Sequence, residues 1–353
     1  MSTRADRLAD RIAEKQLDAL VVTNLWNVRY LTGFTGSNGI AVVGPDLRVF
    51  FTDFRYLEQA AEQVQGFERL KGERDLLGDV AQRVDGRVGF EDATMTVRSF
   101  ERLKGLVADR AELVAAGNPV EELRAVKDGE ELEAIRAAAQ LADSALQRTL
   151  ERGLAGRTER EVALDLEAEM RALGAEEPSF PSIVAAGSHG ALPHAEPRDV
   201  KIGRGVLVTI DWGARLDGYC SDCTRTYATG EIDGEAARVY EVVRQAQESS
   251  SDAVRAGAEG KAVDAVSREI ISEAGHGDHY GHGLGHGVGL EVHEAPRLAP
   301  TSDDTLRAGQ VVTVEPGVYV PGQMGVRIED LVVVTDDGRE VLSSLDKALT
   351  TVG

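Results

Sequence analysis

Val206-Leu-Val-Thr-Ile-Asp211-Trp-Gly213 is an apolar run of strand character that ends on a carboxylate. After a turn at Leu216-Asp-Gly218 it returns as Tyr219-Cys-Ser-Asp222-Cys-Thr-Arg-Thr226. Two such runs joined by a glycine-bearing turn predict a hairpin, which sets Asp211 and Asp222 nearly opposite each other. The device recurs near the C-terminus. Val311-Val-Thr-Val-Glu315-Pro-Gly317 leads to a turn at Pro321-Gly322, and Gly325-Val-Arg-Ile-Glu329-Asp-Leu-Val-Val-Val334 returns. A carboxylate within a buried strand is costly unless it is paired or bound to metal. For any one of the four a salt bridge suffices, with Arg225 and Arg327 as candidates. Four on two hairpins ask for more.

Between the hairpins lies Gly281-His-Gly-Leu-Gly-His-Gly-Val-Gly-Leu-Glu-Val-His-Glu294. A helix would lose roughly 1 kcal/mol at each glycine, so the segment is extended or a loop. Alternation then predicts His282, Leu284, His286, Val288 and Leu290 on one face. The glycines lack the spacing of a dinucleotide fingerprint, which argues against a phosphate cradle. All seven histidines fall between His189 and His293. Oxygen-rich ligands with one imidazole suit a pair of divalent ions, and Mn²⁺, Co²⁺ and Zn²⁺ all qualify. Two bridging carboxylates would hold such ions about 3.5–4 Å apart and acidify a bridging water. The residues alone point to a metallohydrolase.

Outward from these motifs the chain reads as two α/β parts. Residues 1–120 alternate helical and strand patterns: Leu8, Ile12, Leu17 and Leu20 on the face of an opening helix, strands at Ala19–Val22, 40–43, 49–52 and 88–90, and helices at 54–64 and 97–107. The pattern breaks at Gly117-Asn118-Pro119, and one long helix is expected from Val120 to about Arg152. Further helices (160–173, 236–256, 263–274) and the antiparallel hairpins make up the second part, 121–353. The class is α/β grading into α+β, with the boundary placed at residue 120.

The net charge of the 353 residues is −21, which excludes nucleic acid as an expected partner. Residues 1–120 carry 16 basic and 18 acidic groups, and 121–353 carry 23 and 42, so the excess sits with the carboxylate hairpins. No apolar run approaches the roughly 20 residues needed to span a bilayer, and the first residues read as an amphipathic helix, so a cytoplasmic enzyme is expected. Cys220 and Cys223, in isolation, allow a redox pair or half a zinc site.

At these motifs the sequence closely resembles the pita-bread metallopeptidases, the group of prolidase, aminopeptidase P and methionine aminopeptidase. The family's patterns appear as Asp211-Trp-Gly-Ala, Gly218-Tyr-Cys-Ser-Asp222-Cys-Thr-Arg-Thr226, Gly285 to Glu294, Glu315-Pro-Gly and Arg327-Ile-Glu-Asp330. The resemblance implies two divalent ions, with manganese most expected and zinc or cobalt as alternatives. Asp211 would chelate one, His286 and Glu315 the other, with Asp222 and Glu329 bridging. No ligand is missing, which sets the chain apart from metal-free creatinase relatives. His194 and His293 resemble residues that contact substrate and support the tetrahedral intermediate, and Glu315 resembles the proton shuttle. Arg297 resembles a residue near the product carboxylate, and Phe180 is a candidate wall for the proline ring. His282 is expected behind the ligands, and His189, His276 and His279 on loops or the surface. The cysteines flank a ligand in a strand and point away from it.

The preceding domain, with Asn27 to Asn38 and Thr52-Asp-Phe-Arg-Tyr56, is similar to the creatinase-type domain of small bacterial Xaa-Pro peptidases. That similarity implies a homodimer, with Phe34–Gly39 the candidate contact to a partner. The expected substrate is a proline-containing peptide. Dipeptide cleavage as in prolidase is favoured on the strength of Arg297, and aminopeptidase P is the alternative. A non-catalytic binding protein on the same fold is a remote third reading.

Overall fold

The computed structural model describes residues 3–353. Contacts divide the chain into two units, Met1–Arg124 and Ala125–Gly353.

In the first unit Thr3 and Asp6 cap each other reciprocally and start α1 (Arg4–Glu14), which buries Ala5, Leu8, Ala9 and Ile12. The helix ends before Leu17 and Leu20, contrary to the sequence reading, because Gln16 turns to a positive φ of 56° and sends the chain into β1 (Ala19–Val22). α2 (Leu25–Thr32) follows, then β2 (Gly39–Val43), β3 (Arg48–Thr52), α3 (Leu57–Gln63), β4 (Glu68–Lys71), α4 (Leu77–Ala81), β5 (Gly86–Phe90), α5 (Val97–Val107), β6 (Ala111–Ala115) and α6 (Pro119–Arg124). The strands form one sheet in the order β4-β3-β2-β1-β5-β6, antiparallel only between β1, β2 and β3. Val21, Val42, Phe51 and Val88 pack there against Leu77, Val80, Leu103 and Val107. Within the 34–39 loop, Phe34 turns inward against Phe50 and Tyr56 and is buried. What that loop presents to solvent is Thr35 and Ser37.

The second unit opens with α7 (Gly129–Leu150). The single helix expected from 120 to 152 is two helices, because Asp128 and Glu131 form a capping box that starts a new one. α8 (Glu159–Ala172), β7 (Glu177–Pro178) and β8 (Ile183–Ala186) lead to β9 (Leu207–Trp212), β10 (Ala214–Leu216), β11 (Tyr219–Cys220) and β12 (Cys223–Ala228). After α9 (Gly234–Ala253) and α10 (Gly260–Glu273) come β13 (Gly285–Gly287), β14 (Glu294–Leu298), β15 (Val311–Val314), β16 (Gly317–Val320), β17 (Met324–Arg327), β18 (Asp330–Val334) and β19 (Arg339–Val341).

Alternation along β9 decides which way its carboxylate looks. Val208, Ile210 and Trp212 join the core under α7 and α8, and the Trp212 indole donates to the Ala142 carbonyl at 2.9 Å. Thr209 and Asp211 therefore face the other side, toward the second hairpin. Thr209 Oγ1 reaches the Gly325 carbonyl there at 3.2 Å. Among the described residues no helix is long and apolar enough to cross a membrane.

Candidate metal centre

Both hairpins keep one register through a gap in their ladders, and the carboxylates sit at the gaps or, for Asp211, just beside one. In the first, β9 pairs β12 (Asp211 with Thr224) and β10 pairs β11 (Arg215 with Cys220). Continuing that register puts Asp222 opposite Gly213, one diagonal step from Asp211. The returning strand expected from Tyr219 onward is thus interrupted at Ser221-Asp222. In the second, Val314 pairs with Asp330 and Gly317 with Arg327. The same register sets Glu315 opposite Glu329, in the break between β17 and β18 that splits the single returning strand expected up to Val334. Amides freed there bond elsewhere, the Glu329 N–H donating to the Thr224 carbonyl at 3.0 Å and so joining the two hairpins.

The result is a convergence of carboxylates. One oxygen each from Asp211, Asp222 and Glu329 lies within 4.8 Å of the other two. Glu315 Oε1 is 3.2 Å from His286 Nε2, and Asp222 Oδ2 is 3.7 Å from that nitrogen. The His286 Nδ1 lies 3.1 Å from the Gly287 carbonyl, a bond that places its proton on Nδ1 and leaves Nε2 facing the carboxylates. Glycine is required on both sides of it. A Cβ at Gly285 would stand 2.0 Å from the Thr313 carbonyl oxygen, and one at Gly287 2.2 Å from that of Ala295. The one-sided face expected from 282 to 290 does not form. The β13–β14 register shifts between His286 and Gly287, so Leu284 and Val288 enter different cores.

The charges do not balance within the protein. Arg327 donates to Asp211 Oδ2 at 2.6 Å, and Thr224 Oγ1 donates to Glu329 Oε2 at 2.7 Å. Asp211 Oδ1 and Glu329 Oε1 are buried without a partner. Burial, then the neighbouring carboxylates, pushes Asp222 and Glu329 well above the usual carboxylate range. Burial raises Asp211 despite Arg327. Burial also works against Glu315, but the hydrogen bond and charge of His286 bring it down to about 2. His286 is correspondingly raised by Glu315 against its own burial. Orphaned oxygens, crowded anions and an imidazole nitrogen turned toward them fit divalent cations, and all five residues predicted as ligands meet here.

The other predicted residues surround this centre. His293 is exposed, with its ring centroid 4.4 Å from that of His286. Partial desolvation of its ring against the site and then the His286 charge lower its pKa, and His194 and Arg297 add to this. His194 is exposed and follows Pro193, whose carbonyl accepts from Arg327 at 3.2 Å. Arg297 pairs with His286 across β13 and β14 and is exposed. Phe180 is half-buried over Gly213, where a Cβ would lie 3.1 Å from its ring. His282 stands behind, with Nε2 2.8 Å from the Tyr319 hydroxyl. His189 and His276 depart from the expected surface placement. Both are buried, His189 against Glu159 at 2.9 Å and His276 beside His279. Both thiols are free and buried, and burial drives their pKa values up, to about 11 for Cys220, which removes the reactivity a redox pair needs.

Sequence reasoning underrated Arg327 and missed Tyr319. Arg327 is buried and bonds Asp211, Thr224 Oγ1, the Pro193 carbonyl and the Tyr319 hydroxyl. Its signal is an arginine two residues before Glu329 in an apolar strand, within the Arg327-Ile-Glu-Asp330 pattern.

Residues 133–336 match metallopeptidase family M24, and residues 4–126 match the creatinase/prolidase N-terminal domain. The chain is 42% identical to an uncharacterized peptidase of Bacillus subtilis over 98% of its own length and 99% of that protein. Among solved structures it is similar to an Xaa-Pro dipeptidase from Bacillus anthracis, with 39% identity, 99% of each chain covered and a TM-score of 0.95. It is also similar to an X-Pro aminopeptidase from Thermotoga maritima, with 36% identity, 97% and 100% of the two chains covered and a TM-score of 0.88. The expected two-part architecture of a creatinase-like domain before a pita-bread catalytic domain holds, and the chain is an enzyme belonging to metallopeptidase family M24.

Proposed function

We propose that this peptidase hydrolyses the Xaa-Pro bond of dipeptides using two divalent ions, manganese first among them, held by Asp211, Asp222, His286, Glu315 and Glu329. The observation that carries the reading is the buried Asp211, Asp222 and Glu329 cluster with its unpartnered Asp211 Oδ1 and Glu329 Oε1. Such ions supply a nucleophilic water at neutral pH and polarise the scissile carbonyl. The protein's own groups do the rest. Glu315 accepts the water's proton at its carboxylate and delivers it to the leaving nitrogen. The hydrogen bond and charge of His286 are the largest part of the pull that lowers Glu315, and that part would be lost if His286 held an ion. His293, with its ring against that of His286, donates an N–H to the oxygen that gains charge. His194 contacts the substrate beside it, Phe180 receives the proline ring, and Arg297 meets the product carboxylate. Proline lacks an amide N–H and has a fixed φ, so ring shape rather than an N–H contact selects it.

The Thermotoga maritima enzyme, an X-Pro aminopeptidase at 36% identity, supports a second reading, removal of the first residue from longer Xaa-Pro-Yaa peptides. Hydrolysis of an Xaa-Pro dipeptide beside the matching tripeptide, with Mn²⁺ and with chelator, separates the two. Cleavage of the dipeptide alone is the expected result. Preference for the tripeptide selects the aminopeptidase, and metal-independent cleavage contradicts both. A cytoplasmic homodimer completes the proposal, and sizing of the purified protein tests the dimer.

A further inference from the structure

Lys127 and Glu294 form an ion pair sealed in the interior, Nζ to Oε2 at 3.1 Å, with side chains 1% and 7% exposed. It lies apart from the carboxylate cluster, yet Glu294 directly follows His293. Glu294 begins β14 opposite Gly287, where the β13–β14 register shifts. Its side chain folds back under the turn, so close that a Cβ at Gly289 would stand 2.6 Å from Oε2. Oε1 accepts the Glu291 amide at 3.1 Å, and the Gly289 amide donates to the Glu291 carbonyl at 3.0 Å. The carboxylate is thus the inner wall of the 289–294 turn. Lys127 is itself a fixed point. Its amide donates to the Gly309 carbonyl at 2.9 Å, and the next residue, Asp128, caps α7.

A buried ion pair gives little stability that apolar packing would not, but removing one partner strands the other and frees what it held. We propose that Lys127 is a positioning residue: through Glu294 it holds the 289–294 turn in the form that sets the His293 ring against His286. The inference rests on the reading of His293 as a substrate-contacting group. A misplacement of about 1 Å at such a group costs on the order of 100-fold in rate.

The test compares full-length, Mn²⁺-loaded wild type with Lys127→Met, Glu294→Gln, His293→Ala and the Lys127→Met/His293→Ala double variant. It reads kcat and KM on an Xaa-Pro dipeptide and bound manganese per chain. Lys127→Met is expected to lower kcat about 100-fold with manganese content unchanged, and to add no further loss once His293 is absent. Wild-type kcat in Lys127→Met overturns the inference, as does the same fold-loss in the His293→Ala background, which would mark general scaffolding. Should Lys127→Met fail to fold, Glu294→Gln carries the same comparison, since it keeps an acceptor for the Glu291 amide. Its loss must likewise vanish without His293. Full activity in His293→Ala itself would remove the reading of His293 and the inference with it, an outcome distinct from failure of Lys127 alone.

Discussion

Glu329 and Asp330 are neighbours in the chain and nearly equal in burial, yet they end in opposite electrostatic settings. Asp330 faces a complete set of partners: Arg225 at 2.8 Å, Lys347 at 2.7 Å and the Gln247 amide at 3.0 Å. Burial opposes its charge, but Arg225 and Lys347 win and hold its pKa below the ordinary value. Glu329 faces Asp211 and Asp222, where it meets the Thr224 hydroxyl, keeps Oε1 unpartnered and is pushed far up. Glu159, bound by Arg198, His189 and the Ala186 amide, belongs with Asp330. A buried carboxylate given its own cation is finished architecture. One packed against other carboxylates is stable as an anion only when a cation arrives from outside.

The sharpest way to break this contrast is to remove one carboxylate of the cluster. Asp222→Ala or Glu329→Ala should cut peptidase activity by at least about a thousandfold and abolish retained metal, while circular dichroism stays native. Next come opposite signs from adjacent residues, read by denaturant unfolding of the metal-stripped protein. Asp330→Asn should destabilise by about 3–5 kcal/mol because it leaves Arg225 and Lys347 short of a buried counter-charge. Glu329→Gln should stabilise the same form by relieving repulsion. Equal losses from both would erase the distinction.

Acidity gives a third contrast. Asp222 and Glu329 have folded pKa values raised above the unfolded value of about 4, so the unfolded state binds fewer protons there. Metal-stripped protein should therefore lose stability as pH rises through and above about 4, up to those raised values. Asp330 acts in reverse, its contribution present above about pH 4 and lost as pH falls through its lowered pKa. Comparing melting curves of the stripped protein and its Asp330→Asn variant across pH resolves the two. The smallest effect belongs to Thr224→Val, which removes the hydroxyl shared by Glu329 and Arg327. Stability should fall by about 1 kcal/mol, and metal affinity by about 10- to 100-fold in calorimetric titration.

How much of this the chain announces depends on the kind of signal. The four carboxylates were legible because each interrupts an apolar strand beside a turn, and His286 because glycines on both sides rule out a helix. The ladder breaks at Ser221-Asp222 and at Ile328-Glu329 were not, since no proline or glycine marks the returning strands there. The register slip at His286 was hidden for a similar reason: alternation continues in sequence while the partner strand gains residues. The α6–α7 break was readable in Asp128 and Glu131, a capping box that the surrounding Ala, Glu and Arg periodicity masked. Burial of His189 depends on Glu159 and Arg198, brought to it from 30 residues before and 9 after, which no local pattern encodes.

The central claim is that the hairpin carboxylates hold two divalent ions and that these make the peptidase. Calorimetric titration of Mn²⁺ into chelator-stripped protein, with Xaa-Pro dipeptide hydrolysis followed at each addition, tests it most directly. The account predicts two ions per chain, activity that rises with occupancy, and neither in Glu329→Ala. Stoichiometric binding that survives in Glu329→Ala, or full hydrolysis before any metal is added, would contradict it.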